Sequence, residues 1–302
     1  MIRSAIVVPS YNRPAQLAGC LAALVGQDDE SFEVVVVDDG SPQPLSRICT
    51  PYGDRVRCIR QENAGPGSAR NRGAAETEAT FLAFTDDDCR PQRDWLRALR
   101  SAHAGQENRL VGGRVENGLP FNYYASGSQA IVDYLYHYFD ASAGRMPFFT
   151  TNNIGCSRAA FLHIGGFDES FERAAAEDRD FGIRWREGGG HLTYTGGAIV
   201  NHFHAMTLHQ FWRQHTDYGA GAYQLHRAMK SRGSDLPRME RLSFYSGLGL
   251  WPICRMGPRG FGLSILIVLS QVAMASGYYQ AARQHRFPRR LDAAGRFLVC
   301  SL

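Results

Sequence analysis

Apolar positions in this chain fall into short unbroken runs, separated by polar, glycine-bearing turns and by stretches with helical spacing. Ala5 to Pro9 (AIVVP) is a β-branched run closed by proline, which predicts a buried strand. Asn12 offers an N-cap with Pro14 in the first turn, and Leu17, Leu21 and Leu24 follow at helical spacing. Phe32 to Val37 (FEVVVV) predicts the clearest buried strand and runs into the turn Asp38-Asp39-Gly40-Ser41. Arg55 to Ile59 predicts a weaker strand, Ala69 to Glu78 a helix, and Thr80 to Phe84 an apolar strand that stops at Asp86. Asp178 to Trp185 predicts a helix with Phe181 and Trp185 on one face. Strands alternating with helices in this way predict an α/β fold, a mostly parallel sheet with helices on its faces. Arg109 to Thr151, rich in glycine and aromatics, yields no clear element. Its Tyr134, Tyr136, Tyr138 and Phe139 read first as core packing and second as the lining of a cleft.

Polar residues at strand ends carry the first functional information. Ligands of open α/β sheets collect at the carboxyl ends of the strands. Asp38/Asp39 and Asp86/Asp87/Asp88 each follow an apolar strand, so they are expected to converge on one crevice. Three consecutive carboxylates repel one another unless something positive joins them. A hard divalent cation, Mn²⁺ or Mg²⁺, is the natural partner, since such ions take oxygen ligands and share them with phosphates. The alternative is a solvated acidic turn; the apolar strand Phe81 to Phe84 in front of the cluster favours the positioned site. Asn63 to Gly73 (NAGPGSARNRG) holds no G-x-G-x-x-G, but it feeds a helix bearing Arg70 and Arg72, a suitable contact for a diphosphate or a base. Ala198 to Val200 predicts a strand leading to His202 and His204, which alternation puts on one face.

Several blocks together resemble the successive motifs of family 2 glycosyltransferases. They are Val7-Val8-Pro9-Ser10-Tyr11-Asn12-Arg13-Pro14, Val37 to Ser41, Asn63-Ala64-Gly65 with Ala69 to Gly73, and Asp86-Asp87-Asp88 with Pro91 and Trp95-Leu96. Gly165-Gly166-Phe167-Asp168-Glu169 and Glu177-Asp178-Arg179-Asp180-Phe181 continue the series, so that the resemblance covers about residues 4 to 220. It implies a GT-A type nucleotide-binding domain and an inverting, metal-dependent transfer of a sugar from a nucleotide-sugar donor to an acceptor hydroxyl. By the resemblance, Pro9, Tyr11 and Asn12 belong to the donor site, Asp39 meets the nucleobase with Arg70 near it, and Asp86 or Asp87 touches the ribose. Asp88 coordinates the metal, Mn²⁺ or Mg²⁺, and Asp178 is the catalytic base. A carboxylate in that place takes the proton of a poorly nucleophilic hydroxyl, while a metal stabilises the departing diphosphate. Read from the residues alone, Asp178 is equally a helix-start charge favoured by the dipole. A histidine at about the distance of His202 completes the metal site in some GT-A enzymes, so His202 is a candidate ligand; a hydrogen-bonded structural histidine is the other reading. Phe211 to Gln214 and Tyr218-Gly219 resemble a segment that follows the catalytic block in the family. The implied partners are a UDP-, GDP- or dTDP-sugar and a glycan, small-molecule or lipid-linked acceptor, with no nucleic acid.

Departures from the pattern narrow the reading. The Gln-x-x-Arg-Trp block of processive members is absent, because Gln214 is followed by His215-Thr216-Asp217-Tyr218, so a long-chain synthase is not expected. A sugar nucleotidyltransferase would show Gly-x-Gly-Thr-Arg after the first strand and an essential lysine; here Ser10-Tyr11-Asn12-Arg13 stands there and Lys230 is the only lysine. A non-catalytic relative would be expected to lose an acidic ligand or the base, yet Asp86, Asp88 and Asp178 are all present. The net charge of +4 hides an asymmetry, since residues 226–302 carry +9 and residues 1–225 carry −5. A division follows: a catalytic domain at 1–225 and a basic, partly apolar helical appendage at 226–302. Gly260 to Ala282 carries no formal charge, and Ser264, Gln271 and Tyr278 fall on one helical stripe. That composition suits a helix lying in a membrane interface or packed on the enzyme, with a shorter apolar run at Leu242 to Cys254 and bracketing arginines. Peripheral membrane contact is therefore expected through residues 242–302. Met1 to Val8 shows no secretory leader, and seven scattered cysteines without C-x-x-C suggest reduced thiols, so a cytoplasmic location at the inner membrane face is expected.

Overall fold

The computed structural model describes residues 4–286 apart from 140–142, 144, 172–174 and 237–239; residues 287–302 of the basic tail, part of the expected membrane contact, lie outside it. In chain order the elements begin with β1 (Ser4–Ser10), α1 (Pro14–Val25), β2 (Phe32–Asp38), α2 (Ser46–Cys49), β3 (Val56–Arg60) and α3 (Pro66–Ala75). They continue with β4 (Phe81–Phe84), β5 (Cys89–Pro91), α4 (Trp95–His103), β6 (Arg109–Asn117), α5 (Tyr123–Tyr138), β7 (Ile154–Ser157) and α6 (Arg158–His163). The last are α7 (Glu177–Glu187), β8 (His191–His202), α8 (Leu208–Arg232), α9 (Leu242–Met256) and α10 (Phe261–Arg286).

One sheet carries all eight strands in the order β3-β2-β1-β4-β7-β6-β8-β5. The early strands are parallel, with Ser10 opposite Asp38 and Val7 opposite Phe84, so β1, β2 and β4 deliver their carboxyl ends to one edge. Parallel strands are covered on both faces, which explains their unbroken apolar runs. Ile6, Val8, Val34 and Val36 pack towards Leu17, Leu21, Trp95 and Leu99, whereas Val7, Leu82 and Phe84 pack towards Phe161, Phe167, Phe181 and Trp185. Beyond β4 the sheet is mixed, because β7 runs antiparallel to both β4 and β6, and β5 antiparallel to β8. Because β6 and β8 are again parallel, four of the seven strand pairs run parallel and the expectation of a mostly parallel sheet holds. The stretch that yields no element in the sequence contains β6 and α5. A register shift between Gly113 and Arg114 breaks the β6–β8 ladder there, and buried Asn153 stitches the gap by donating to the Arg114 and Ala198 carbonyls.

Two boundaries differ from the sequence reading for local reasons. The residue preceding α1 is Arg13, since Asn12 takes a left-handed conformation (φ 55) and gives its backbone N–H to Ser41 Oγ. Helix α3 starts at Pro66, not Ala69, because proline is preorganised for a first helical turn and Gly65 (φ 90) supplies the turn before it. The division at residue 225 falls inside α8, which is continuous to Arg232. Nor are the last helices a separate body. The Cβ missing from Gly219 of α8 would run into the Met274 carbonyl of α10, and that of Gly221 into the Ala175 carbonyl just before α7. Backbone thus packs on backbone, wedging α8 between α10 and the start of α7.

Glycine in a helix interior ordinarily costs ~1 kcal/mol relative to alanine. At Gly249 of α9 no atom stands within 4 Å of an added Cβ, so Gly249→Ala is expected to stabilise by up to that amount. At Gly219 overpacking reverses the sign, and Gly219→Ala is expected to destabilise by ~1–3 kcal/mol. Urea midpoints of the two variants check the contrast; stabilisation by both would remove the close α8–α10 contact.

Candidate active site

The aspartates after β2 serve the backbone. Asp38 is buried and accepts from the Ser41 and Leu45 N–H groups at 2.9 and 3.1 Å, with Arg60 at 3.2 Å. Asp39 accepts from Gln61 Nε2 at 2.8 Å and from the backbone of Ala64 and Gly65 at 3.0 and 2.9 Å. Its carboxylate is thus already committed to shaping the loop ahead of α3. Pro9 is buried within β1 opposite Val37, while Tyr11 is exposed and, with Asn12, sits at the same sheet edge.

Asp86 to Asp88 follow β4, and each has a different environment. Asp86 is the most open and accepts from Arg70 Nη2 at 2.7 Å. Asp87 is buried and takes a 2.6 Å hydrogen bond from Ser10 Oγ and another at 2.9 Å from Arg13; burial still wins and pushes its carboxyl up to about 6. Asp88 is buried as well, which alone would raise it. Hydrogen bonds from His202 and His204, with the Arg13 charge, outweigh burial and hold it well below the usual carboxylate range. His202 Nε2 stands 3.2 Å from Oδ1, His204 Nδ1 3.1 Å and Arg13 Nη1 3.0 Å from Oδ2. The two imidazoles stack with centroids 5.3 Å apart.

This donor set fits a divalent cation. An Asp88 oxygen, a ring nitrogen of His202 and the Cys89 sulfur lie within 4.8 Å of one another, and burial raises the Cys89 thiol well above its ordinary range, leaving carboxylate and imidazole as the donors. His204 Nε2 faces Gln214 Oε1 at 3.0 Å while Nδ1 faces Asp88, so a positive centre suits the space between imidazole and carboxylate.

Helix α7 brings the second group of acids. Ala176 in a left-handed conformation (φ 75) turns the chain sharply into it. Glu177 is buried 3.3 Å from Arg70 Nη1, and burial with the neighbouring Asp178 charge pushes its carboxyl up to about 7. Asp178 is half-buried and also raised, chiefly by burial, against the charges of Arg179 and Arg70. Asp180 is fully buried between Arg184 at 2.7 Å and Arg232 at 2.5 Å, a lock between α7 and α8.

A cavity of about 230 Å³ joins both groups: Asp86, His202 and His204 line it together with Glu177 and Asp178. Of the aromatic stretch in α5, Tyr134 packs against Phe244 and Trp251, and Tyr136 against Phe149 and Tyr194. Core packing is therefore their role, and the α5 wall of the cavity comes from residues such as Gln129 and Leu135.

The family model "Glycosyl transferase family 2" matches residues 5–165. The chain belongs to that family. A pre-mycofactocin glycosyltransferase of Mycobacterium tuberculosis is 28% identical over 232 residues, 73% of this chain and 47% of that protein. A validoxylamine A glucosyltransferase of Streptomyces hygroscopicus subsp. jinggangensis is 32% identical over 211 residues, 59% of this chain and 50% of its own length. The chain thus spans about half the length of these curated relatives. Among solved structures, a mannosyltransferase of Pyrobaculum calidifontis, in complex with GDP-Man and Mn²⁺, superposes with a TM-score of 0.62 at 18% identity, covering 95% of this chain and 81% of that one. S. aureus TarS 1-349 superposes at 0.52, covering 98% and 95%. The fold is therefore that of the GT-A glycosyltransferases.

Within this family 2 site the sequence reading brings together Arg70, Asp86, Asp87, Asp88, Asp178 and His202. It omits Arg13 and Glu177, the two charged residues flanking motifs that it does use. His204, which alternation puts on one face with His202, stands with it against Asp88. Arg70 is nearly fully buried between Asp86 and Glu177, so Arg70→Met strands Glu177 inside the protein. Removing one partner of such a pair costs ~3–5 kcal/mol. We expect a loss of that order in chemical denaturation, reduced by a second substitution, Glu177→Gln; additive losses would show that the pair is uncoupled.

Proposed function

We propose that this protein is a glycosyltransferase that moves a sugar from a nucleotide-sugar donor to an acceptor hydroxyl with inversion, one residue at a time. The observation that carries this reading is the single cavity shared by Asp178 and the Asp86/His202/His204 cluster. Asp178 is the general base: its raised carboxyl, half-shielded from water, suits it to accept a proton from a hydroxyl attacking on the opposite face of the sugar. Asp88 with His202 would hold Mn²⁺ or Mg²⁺, and the imidazole favours Mn²⁺. When bound, the ion supplies positive charge for the leaving diphosphate. Arg70 and Asp86 orient the donor, Asp39 shapes the loop beneath the nucleobase, and Tyr11, Asn12 and Asp87 complete the pocket. Support also comes from the structural relative bound to GDP-Man and Mn²⁺.

Screening UDP-, GDP- and dTDP-sugars for thermal stabilisation identifies the donor. With that donor, Asp88→Asn and chelation are expected to depress transfer by several orders of magnitude, with Mn²⁺ restoring only the wild type. Asp178→Asn is expected to keep donor binding and lose transfer. A base with a raised carboxyl must be ionised to act, so the wild-type rate falls on acidification at a pH above the ordinary carboxylate value of about 4. Transfer at wild-type rate in excess EDTA, or by Asp178→Asn, refutes the respective assignment.

We also propose peripheral attachment to the cytoplasmic face of an anionic membrane, which would suit a lipid-linked acceptor. The helical stretch Leu242–His285, taken as one, is long and apolar enough to cross a membrane. Yet α10 packs its polar stripe inward: Ser264 is buried and Tyr278 hydrogen-bonds His226 at 2.9 Å. Its outer stripe, Phe261, Ile265, Val268, Val272 and Tyr279, is exposed and apolar. Five arginines and no acid occur in residues 241–286, each arginine near a surface adding about 1 kcal/mol of attraction to anionic headgroups. Salt-sensitive flotation with phosphatidylglycerol vesicles, abolished by Val268→Glu with Val272→Glu, is expected. Equal failure with anionic and neutral vesicles rejects the attachment, and concentration-dependent dimers would assign the stripe to a second copy.

A further inference from the structure

Past the carboxylates, the cavity runs on between α5, α8 and α10, and its walls change character. Ile131, Val132 and Leu135 of α5, Phe148, Met206, and Met274 of α10 make them apolar. Polar groups such as Ser128, Gln129, Thr151 and Gln214 interrupt this lining, and among the polar ones Asn152 and His215 have buried atoms with no partner among the described residues. Asn152 is 7% exposed with Oδ1 unsatisfied, and His215 is 3% exposed with Nδ1 unsatisfied. The other nitrogen of His215 reaches only Ser128 Oγ, at 3.5 Å. Burial lowers the His215 imidazole to about 4, so it is neutral at ordinary pH and offers a hydrogen bond without charge. An unpartnered buried polar atom costs folding free energy that a ligand supplying the missing partner recovers.

A glycan end would bring a sheath of hydroxyls into this chamber, and those set against Ile131, Val132, Leu135, Phe148 and Met274 would find no partner there. An apolar body carrying one or two polar groups loses little and gains contact with the wall. Resting on the glycosyl-transfer reading, we propose that the chamber is the acceptor subsite. Its acceptor is an amphiphile whose reactive hydroxyl lies at Asp178 and whose adjoining apolar moiety lies against Val132, Leu135 and Met274. Asn152 and His215 select it by hydrogen bonds. Because Met274 belongs to the helix that carries the exposed apolar stripe, the same chemistry is available to a lipid-borne acceptor and to a soluble one with an aromatic aglycone.

The test measures binding, so that it does not depend on guessing the acceptor's sugar. With UDP or GDP and Mn²⁺ present, thermal midpoints are recorded with glucose, mannose, galactose and N-acetylglucosamine, each as free sugar and as phenyl glycoside. Dodecyl glycosides carried in phosphatidylcholine vesicles form a second arm for a lipid-borne acceptor. Within at least one pair the apolar glycoside is expected to bind at least about tenfold tighter than the free sugar, the effect of burying a phenyl-sized group. Met274→Gln, close to isosteric, and Val132→Thr are each expected to erase that preference. Equal affinity within every pair, or no binding of any glycoside in either arm, overturns the acceptor assignment. A preference that survives both substitutions overturns it as well. Failure of the transferase reading is separate: it would appear as the absence of both nucleotide-sugar stabilisation and donor hydrolysis.

Discussion

Everything at the site hangs on one guanidinium. Arg70 lies nearly fully buried, with one nitrogen on Asp86 and the other on Glu177. Asp86 comes from the turn after β4, and Glu177 opens α7, about a hundred residues later in the chain. Glu177 could not be buried so deeply without a partner, and Arg70 could not be buried without both acids. This mutual requirement fixes the distance between the donor-side aspartates and Asp178, one residue along from Glu177. Phe167 sits beneath the guanidinium, 5.5 Å from ring centroid to Cζ, and Asn71 of the same helix ties down its backbone. The Gly165-Gly166-Phe167 segment is therefore the floor on which the bridge stands.

Around that bridge negative charge is in excess. Five carboxylates, Asp86 to Asp88 with Glu177 and Asp178, meet Arg13, Arg70, Arg179 and two histidines. The consequence is visible in how the acids divide the strain. Asp88, with the most donors, stays readily ionised; Asp87, Glu177 and Asp178 are pushed upward, towards holding protons. A cation with a diphosphate is a balanced visitor to such a field, because it brings positive charge to Asp88 and phosphate oxygens to the arginines. The hydrogen-bonded line from Asp88 through His204 and Gln214 to Tyr218 then carries the order of the donor side into α8, the helix that also walls the inner chamber.

The legible parts of the sequence were those written by local rules. Unbroken apolar runs gave β1, β2 and β4, since strands covered on both faces need nothing else. The acids after them gave the site, since parallel strands bring their carboxyl ends to one edge. What local rules could not show was the mixed half of the sheet. The β6–β8 ladder depends on Asn153, a single buried amide joining backbone carbonyls from two strands, and no periodicity announces such a stitch. Asp38 and Asp39 looked alike in the sequence and are both occupied by backbone donors, a fact fixed by the fold of residues 41–65. The boundary at residue 225 falls inside a helix for a related reason: charge changes sign there, but a helix follows hydrogen bonds and packing, and α8 runs on to Arg232.

The same distinction separates the two faces of α10. Composition alone, uncharged and interrupted by serine and glutamine, suits a helix on a membrane and a helix on an enzyme equally. The structure puts these demands on opposite sides of one cylinder. Inward, Gly277 lets the Thr216 backbone come close, Ser270 returns its hydroxyl to the Ile267 carbonyl, and Met274 reaches the cavity. Outward, Ile265, Val268 and Val272 leave an apolar surface that none of the described residues covers. Leu263, Leu266, Ile267 and Ala273 are buried inward as in any core helix, but a water-facing helix carries polar residues on its outer side. On the proposed attachment, one element would both complete the chamber beside Asp178 and hold it at a membrane surface.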